Sequence, residues 1–243
     1  MNSSSELSQG KTESNKIELK NLFNNLKNDY FLQKLFDYLL KKKSLEIIKY
    51  NKNIKKRINL NINDYKEYLE IYSSIEIEII PVKNKYDKFI NINEENKSYY
   101  HIYFNNNEEE INRNYMNKDD NIKNINIIID YQIKSFRELF DNCICIESIY
   151  FKKFYRNNIT NMYYMFKGCS SLKEINLSNF NTNNVTNMSD MFFNFKKLKE
   201  LKPYDFYTNN VTDMNNMFFD FSTLSSINLS NFITNNVKTK IAD

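Results

Sequence analysis

Val185-Thr186-Asn187-Met188-Ser189-Asp190-Met191-Phe192, preceded by Asn183-Asn184, is the stretch whose reading decides the fold. Its opening phrase recurs as Asn157-Asn158-Ile159, Asn209-Asn210-Val211 and Asn235-Asn236-Val237, each copy 26 residues from the next. A fixed period of this length marks a repeat array, in which each unit buries its apolar side against its neighbours. Within the stretch, apolar residues fall at i, i+3, i+6 and i+7, which predicts one face of a helix. The Asn and Thr just before it have the chemistry of a helix N-cap, a side-chain oxygen that accepts a backbone N–H.

The register extends along the second half of the chain. Ile133, Ile159, Val185, Val211 and Val237 share one column, and Leu139, Met165, Met191 and Met217 share another. Phe140, Phe166, Phe192 and Phe218 follow, and Phe154, Phe180, Phe206 and Phe232 close the unit. Between them, Leu172-Lys173-Glu174-Ile175-Asn176-Leu177 changes to an L-x-x-I-x-L spacing, the mark of a leucine-rich repeat whose short strand pairs in parallel with its copies. The expected architecture is an α/β solenoid over residues 131–243, with leucine-rich-repeat-like coils of one helical turn, one parallel strand and one loop.

The spaced pattern Asn-Asn-Val-Thr-Asn/Asp-Met-x-x-Met-Phe, followed by Cys/Phe-x-x-Leu-x-x-Ile/Leu-x-Leu-Ser-Asn-Phe-x-Thr, resembles the BspA-like leucine-rich repeats, also called the DUF285 surface-protein repeats. The likeness covers residues 131–243. It implies a right-handed solenoid used in adhesion or protein–protein contact, and it brings no catalytic residues. The pattern is departed from in three ways. Gly168-Cys169 becomes Asn194-Phe195 and Asp220-Phe221 in later copies, Pro203 stands in the strand column of Leu177 and Leu229, and Lys240 and Asp243 stand where methionines belong.

Ahead of the repeats, residues 1–16 are polar and expected to be disordered. Residues 17–60 carry helical spacing. Within them, Phe31-Leu32-Gln33-Lys34-Leu35-Phe36-Asp37-Tyr38-Leu39 and Leu45-Glu46-Ile47-Ile48 resemble an F-box over residues 31–57. That resemblance implies docking of residues 17–60 to a Skp1-type adaptor, with the repeats as the substrate receptor of a ubiquitin ligase. Residues 61–130 alternate strand-like runs with polar loops and are expected to form a strand-rich capping subdomain. In it, Ile125–Ile129 is expected to be the first strand of the stack, hiding its open edge.

Composition narrows the chemistry. The 243 residues contain two glycines, Gly10 and Gly168, so a phosphate-binding glycine loop or a nucleophile elbow has no material. The single histidine, His101, sits in the alternating run Tyr99-Tyr100-His101-Ile102-Tyr103, which reads as a strand. Cys143 and Cys169 share a column, Cys145 lies beside it, and all three are expected to be buried thiols. No catalytic, cofactor-binding or metal-ligating residue is assigned, and the expected role is non-enzymatic. The net charge of +4 is spread along the chain. Its densest basic run, residues 52–57, reads as a solvated helix end, and nucleic acid is not an expected partner. No apolar run approaches the about 18 residues that span a bilayer, and the first 15 residues lack the apolar core of a signal peptide. These features predict a cytoplasmic protein, whereas the repeat resemblance points to a surface.

Asn158-Ile159-Thr160, Asn184-Val185-Thr186 and Asn210-Val211-Thr212 match the glycosylation sequon as by-products of the capping turn. The non-core strand residues of the coils are expected to face outward on the concave side and bind a protein ligand. They are Ser148, Tyr150 and Lys152; Glu174, Asn176 and Ser178; Glu200, Lys202 and Tyr204; and Ser226, Asn228 and Ser230. Tyrosine in the middle of this face suits an interface hot spot.

Overall fold

The computed structural model describes residues 66, 70–201, 206–223, 226, 227, 229 and 232–238. The disordered-tail expectation (1–16), the helical segment 17–60 and its F-box-like stretch 31–57 lie outside the described residues. The chain divides into two compact units, Met1–Leu69 and Glu70–Asp243. The second unit holds all the strands found among the described residues.

Alternation of isoleucine with polar residues produces strands with one buried face. In β1 (Ile75–Pro81), Ile75, Ile77 and Ile79 are buried while Glu76 and Glu78 point outward. β2 (Tyr100–Phe104) buries Tyr100, Ile102 and Phe104, and β3 (Ile125–Ile129) buries Ile125, Ile127 and Ile129. β4 (Ile146–Lys153) and the short β5 (Glu174–Asn176) complete a five-stranded sheet of order β2-β3-β1-β4-β5. A 3₁₀ helix, Glu94–Tyr99, leads into β2. β3 lies antiparallel between β2 and β1, and β1 lies antiparallel to β4. Only β4 and β5 run parallel, with Ser148 opposite Glu174 and Tyr150 opposite Asn176. Register shifts between Glu76 and Ile77 and between Ile80 and Pro81 bend the β1–β4 pair, and Pro81, which has no amide hydrogen, stands at the strand end. A second, two-stranded parallel sheet pairs β6 (Glu200–Leu201) with β7 (Ser226–Ile227).

The α/β solenoid of parallel coils is therefore corrected. The principal element is one mixed sheet that is antiparallel at three of its four junctions. No α-helix occurs among the described residues of 131–243. The predicted helical turn is a run of tight turns. Met165, Lys167 and Cys169 donate to the carbonyls of Met162, Tyr164 and Phe166, three residues back, whereas a helix would bond four back. The N–H groups of Met162, Tyr164, Phe166 and Gly168 leave the segment altogether and donate to Asn187, Ser189, Met191 and Phe193 at 2.9–3.2 Å. Left-handed residues make this geometry: φ is 57° at Tyr164 and 66° at Gly168, 52° at Asp190 and 61° at Asn194, and 49° at Asn216 and 55° at Asp220. A helix cannot pass through such residues, because an L-residue there costs about 1–2 kcal/mol and turns the chain the other way.

The asparagines expected to cap helices act differently. Asn158, Asn184, Asn210 and Asn236 each donate a side-chain N–H to a backbone carbonyl 27 residues back, of Tyr131, Asn157, Asn183 and Asn209. Buried Thr182 and Thr208 tie the following copies in the same way, each hydroxyl donating to and accepting from the backbone of Tyr207 or Ile233.

The apolar columns form the core between these ladders. Phe140, Phe166, Phe192 and Phe218 stack successively at centroid distances of 5.6, 5.7 and 5.7 Å with planes within 11° of parallel. Met162, Met165, Met188, Met191 and Met217 are all buried, as are Cys143, Cys145 and Cys169, which are free thiols. A second correction concerns Ile125–Ile129. It does not border the periodic part; β1 lies between it and β4, so β4 is the strand shared by the antiparallel sheet and the repeats.

Candidate functional site

Because strand residues alternate between faces, the buried isoleucines commit their neighbours to one outward face. One row crosses all five strands in register: Tyr103, Asn126, Glu78, Tyr150 and Asn176. A second row runs from His101 through Ile128 and Glu76 to Lys153.

Tyr150 is the centre of the hydrogen bonding here. Its hydroxyl donates to Oε2 of Glu174 at 2.8 Å, and Nζ of Lys152 lies 5.3 Å from its ring centroid. Burial and then the Glu174 carboxylate raise the Tyr150 phenol above its ordinary range. Lys152 also pairs with Oε2 of Glu78 at 2.8 Å, while Asn124 donates to the other oxygen of that carboxylate. The Lys152 contact, against the opposing effect of burial, holds the Glu78 carboxyl below its usual value. Lys153 pairs with Glu76 at 3.0 Å and Lys173 with Glu147 at 2.7 Å.

Of the twelve residues expected on a binding face, the structure brings Tyr150, Lys152 and Glu174 into one network. Asn176 is exposed at the end of β5, where its Oδ1 accepts bonds from the backbone N–H and hydroxyl of Ser178. Ser148 is not on the surface; at 7 % exposure it is buried between β1 and β5. Glu200 is exposed on β6, with the backbone of Ser226 opposite it. Lys202, Tyr204, Asn228 and Ser230 lie outside the described residues. Sequence reasoning missed Glu76 and Glu78, which come from β1 and pair with Lys153 and Lys152. Their alternation with isoleucine was a visible signal for a charged face, but nothing local shows that β1 pairs with β4.

The carboxylates of Glu76 and Glu78 are ion-paired, and burial pushes the Cys145 thiol up to about 12 and holds Cys143 and Cys169 well above the ordinary thiol range, against the thiolate form. Among the described residues no three His, Cys, Asp or Glu side chains are placed to hold a metal ion, and no helix is long and apolar enough to cross a membrane. A cleft of about 580 Å³ opens at the other margin of the sheet, beside β2. Its walls include Ile92, Tyr100, Ile102 and residues 110–114.

Comparison with curated proteins and comparison with solved structures each return no match. A family model described as "Mycoplasma protein of unknown function, DUF285" matches residues 106–232, just over half of the chain and including Tyr150, Lys152 and Glu174. The chain therefore belongs to the DUF285 family.

Proposed function

We propose that this protein is a non-enzymatic interaction module that binds a protein ligand through the outward face of β4 and β5, centred on Tyr150. The observation that carries the reading is the ordering of that ring by Glu174 at 2.8 Å and Lys152 at 5.3 Å. A tyrosine held in place before its ligand arrives loses little rotamer freedom on binding, and it offers an apolar ring together with a polar tip. Ion pairs around it are partly exposed and suit an interface rim, where charge sets orientation and encounter rate more than affinity. The likeness of the repeat motif to BspA-like surface repeats supports the same reading, since it implies adhesion or protein contact.

The test is affinity capture from an extract of the native cells with the intact chain as bait. Tyr150→Ala serves as the site variant and Tyr207→Ala, an exposed tyrosine outside this face, as the control. The reading expects proteins that bind the parent and the control but not Tyr150→Ala, with all three baits still folded and melting well above the temperature of the capture. Identical capture by all three baits would remove Tyr150 from the interface.

A further inference from the structure

His101 is the only histidine in the chain, and both of its ring nitrogens face carboxylates. Nδ1 lies 3.1 Å from Oε1 of Glu110 and Nε2 lies 3.4 Å from Oδ2 of Asp130. A neutral imidazole carries one N–H and one bare nitrogen, so it can donate to one carboxylate only. The imidazolium donates to both. We infer that protonated His101 is a clasp that fastens Glu110, and with it Ile111 at the start of the cleft wall formed by residues 110–114, to Asp130 at the end of β3, and that deprotonation releases this end of the wall.

The far end of the wall is held independently, by Arg113 over the Phe104 ring and on Asp120 and by Asn114 bonded to Phe89 and Ile90, whereas its first two residues have few other fastenings to β2. Ile111 donates its N–H to the carbonyl of Ile102 at 2.7 Å, and Glu110 lies opposite Tyr103 in an isolated antiparallel bridge. Residues 105–110 are all exposed. Behind the wall, Ile92, Tyr100 and Ile102 line the cleft together with Ile111 of the wall itself, with Glu94 and Lys97 of the 3₁₀ helix at its side. Movement of this end of the wall therefore changes access to an apolar lining and to the outer edge of β2.

The charges around the ring favour the proton. Glu110 and Asp130 face it directly; Glu76, further along its cross-strand row, is neutralised by Lys153, and Arg156 donates to the backbone carbonyl of Asp130. Burial alone would lower the His101 value, but the two hydrogen bonds and the two carboxylate charges outweigh it and raise it above 6.5. Stabilisation by a group with a raised value is complete below the unfolded value and is lost as pH rises through the folded one. The clasp is thus closed in mildly acidic solution and opens on the alkaline side of that range. It is independent of any ligand at Tyr150.

One histidine gives one titrating imidazole signal in the NMR spectrum of the intact chain. Its midpoint is expected above 6.5, falling towards 6.5 in Glu110→Gln and in Asp130→Asn. Hydrogen-exchange protection of the Ile111 amide, corrected for intrinsic pH dependence, should drop on the order of several-fold across the same midpoint. The amide of Ile127, in the centre of β3, should show no such step, and Glu110→Gln should abolish the step at Ile111. A midpoint at or below 6.5 overturns the clasp. So does Ile111 protection that ignores the midpoint or that steps equally in Glu110→Gln.

Discussion

The hydroxyl of Tyr150 on β4 donates to the carboxylate of Glu174 on β5 at 2.8 Å, across the one parallel junction of the five-stranded sheet. The two residues lie 24 positions apart, two short of the 26-residue period, so the bond runs diagonally between neighbouring copies. It links the antiparallel sheet to the repeats at the point where the proposed ligand face lies.

Tyr150→Phe removes this hydrogen bond and keeps the ring. Because the pair is partly exposed, the loss should stay below about 1 kcal/mol, which moves the melting temperature by no more than about 4 °C. If the ring carries ligand contact, Tyr150→Phe retains most of the capture that Tyr150→Ala loses. Calorimetry paired with the capture experiment reads both, and equal loss in the two variants would transfer the role from the ring to the hydroxyl.

Met188 is fully buried between its counterparts in adjacent copies. Met188→Asp places an unpaired carboxylate there and should cost several kcal/mol or prevent folding, whereas Met188→Ala should cost about 2–5 kcal/mol through the cavity it leaves. Urea unfolding monitored by circular dichroism measures both. Parent-like stability in the aspartate variant would place Met188 at the surface.

Gly168 and Asn194 occupy equivalent left-handed positions in successive copies, with φ of 66° and 61°. A Cβ added at Gly168 would also run into the side chain of Asn142. Gly168→Val should therefore destabilise by more than the about 1–2 kcal/mol of left-handed strain alone. Asn194→Gly relieves the same strain and removes a buried amide oxygen with no hydrogen-bond partner among the described residues, so it should be neutral or stabilising. Opposite signs in denaturant midpoints support the turn geometry; a destabilised Asn194→Gly would contradict it.

Arg113 and Asp120 form a two-pronged pair at 2.7 and 2.6 Å, with the guanidinium 5.1 Å from the Phe104 ring centroid. The hydrogen bonds from Arg113, against a smaller opposing effect of burial, lower the Asp120 carboxyl below 3.8. For a lowered acid, the stabilisation is present above the unfolded value and disappears as pH falls through the folded one. Asp120→Asn should thus lose stability at neutral pH and narrow its gap to the parent as pH falls below the unfolded carboxyl value and through the lowered folded one. Thermal unfolding at several pH values checks this, and a gap constant down to pH 2 would deny the pair its role.

Much of the core could be read without coordinates. The columns that contain Met165, Phe140 and Val185 are buried as their spacing required, except for the partly buried Phe218 and Val237 in the last copies, and the alternating runs around Ile77, Ile102 and Ile127 are strands. The helical spacing misleads for a physical reason. Met188, Met191, Phe192 and Phe195 sit at i, i+3, i+4 and i+7, and two successive tight turns place these residues on one side just as a helix does. The clue lies in a neighbouring column: Asn142, Gly168, Asn194 and Asp220 are all residue types that tolerate left-handed backbone. Of the proposed ligand face, the outward placement of Tyr150, Lys152 and Glu174 was legible because they alternate with core positions. Glu76 and Glu78 were not recognisable as their partners, because strand pairing across about 75 residues leaves no local trace.

The amino-acid sequence by itself determined which side chains go inside and at what interval, since burial follows from residue type and a repeated spacing repeats the burial. The tertiary structure alone decided that the N–H groups of Met162, Tyr164 and Phe166 bond to the next copy instead of closing a helix, and that β1 enters between β3 and β4. Backbone hydrogen bonds are nearly indifferent to side-chain identity, so which donor meets which acceptor is settled only when the whole chain has packed.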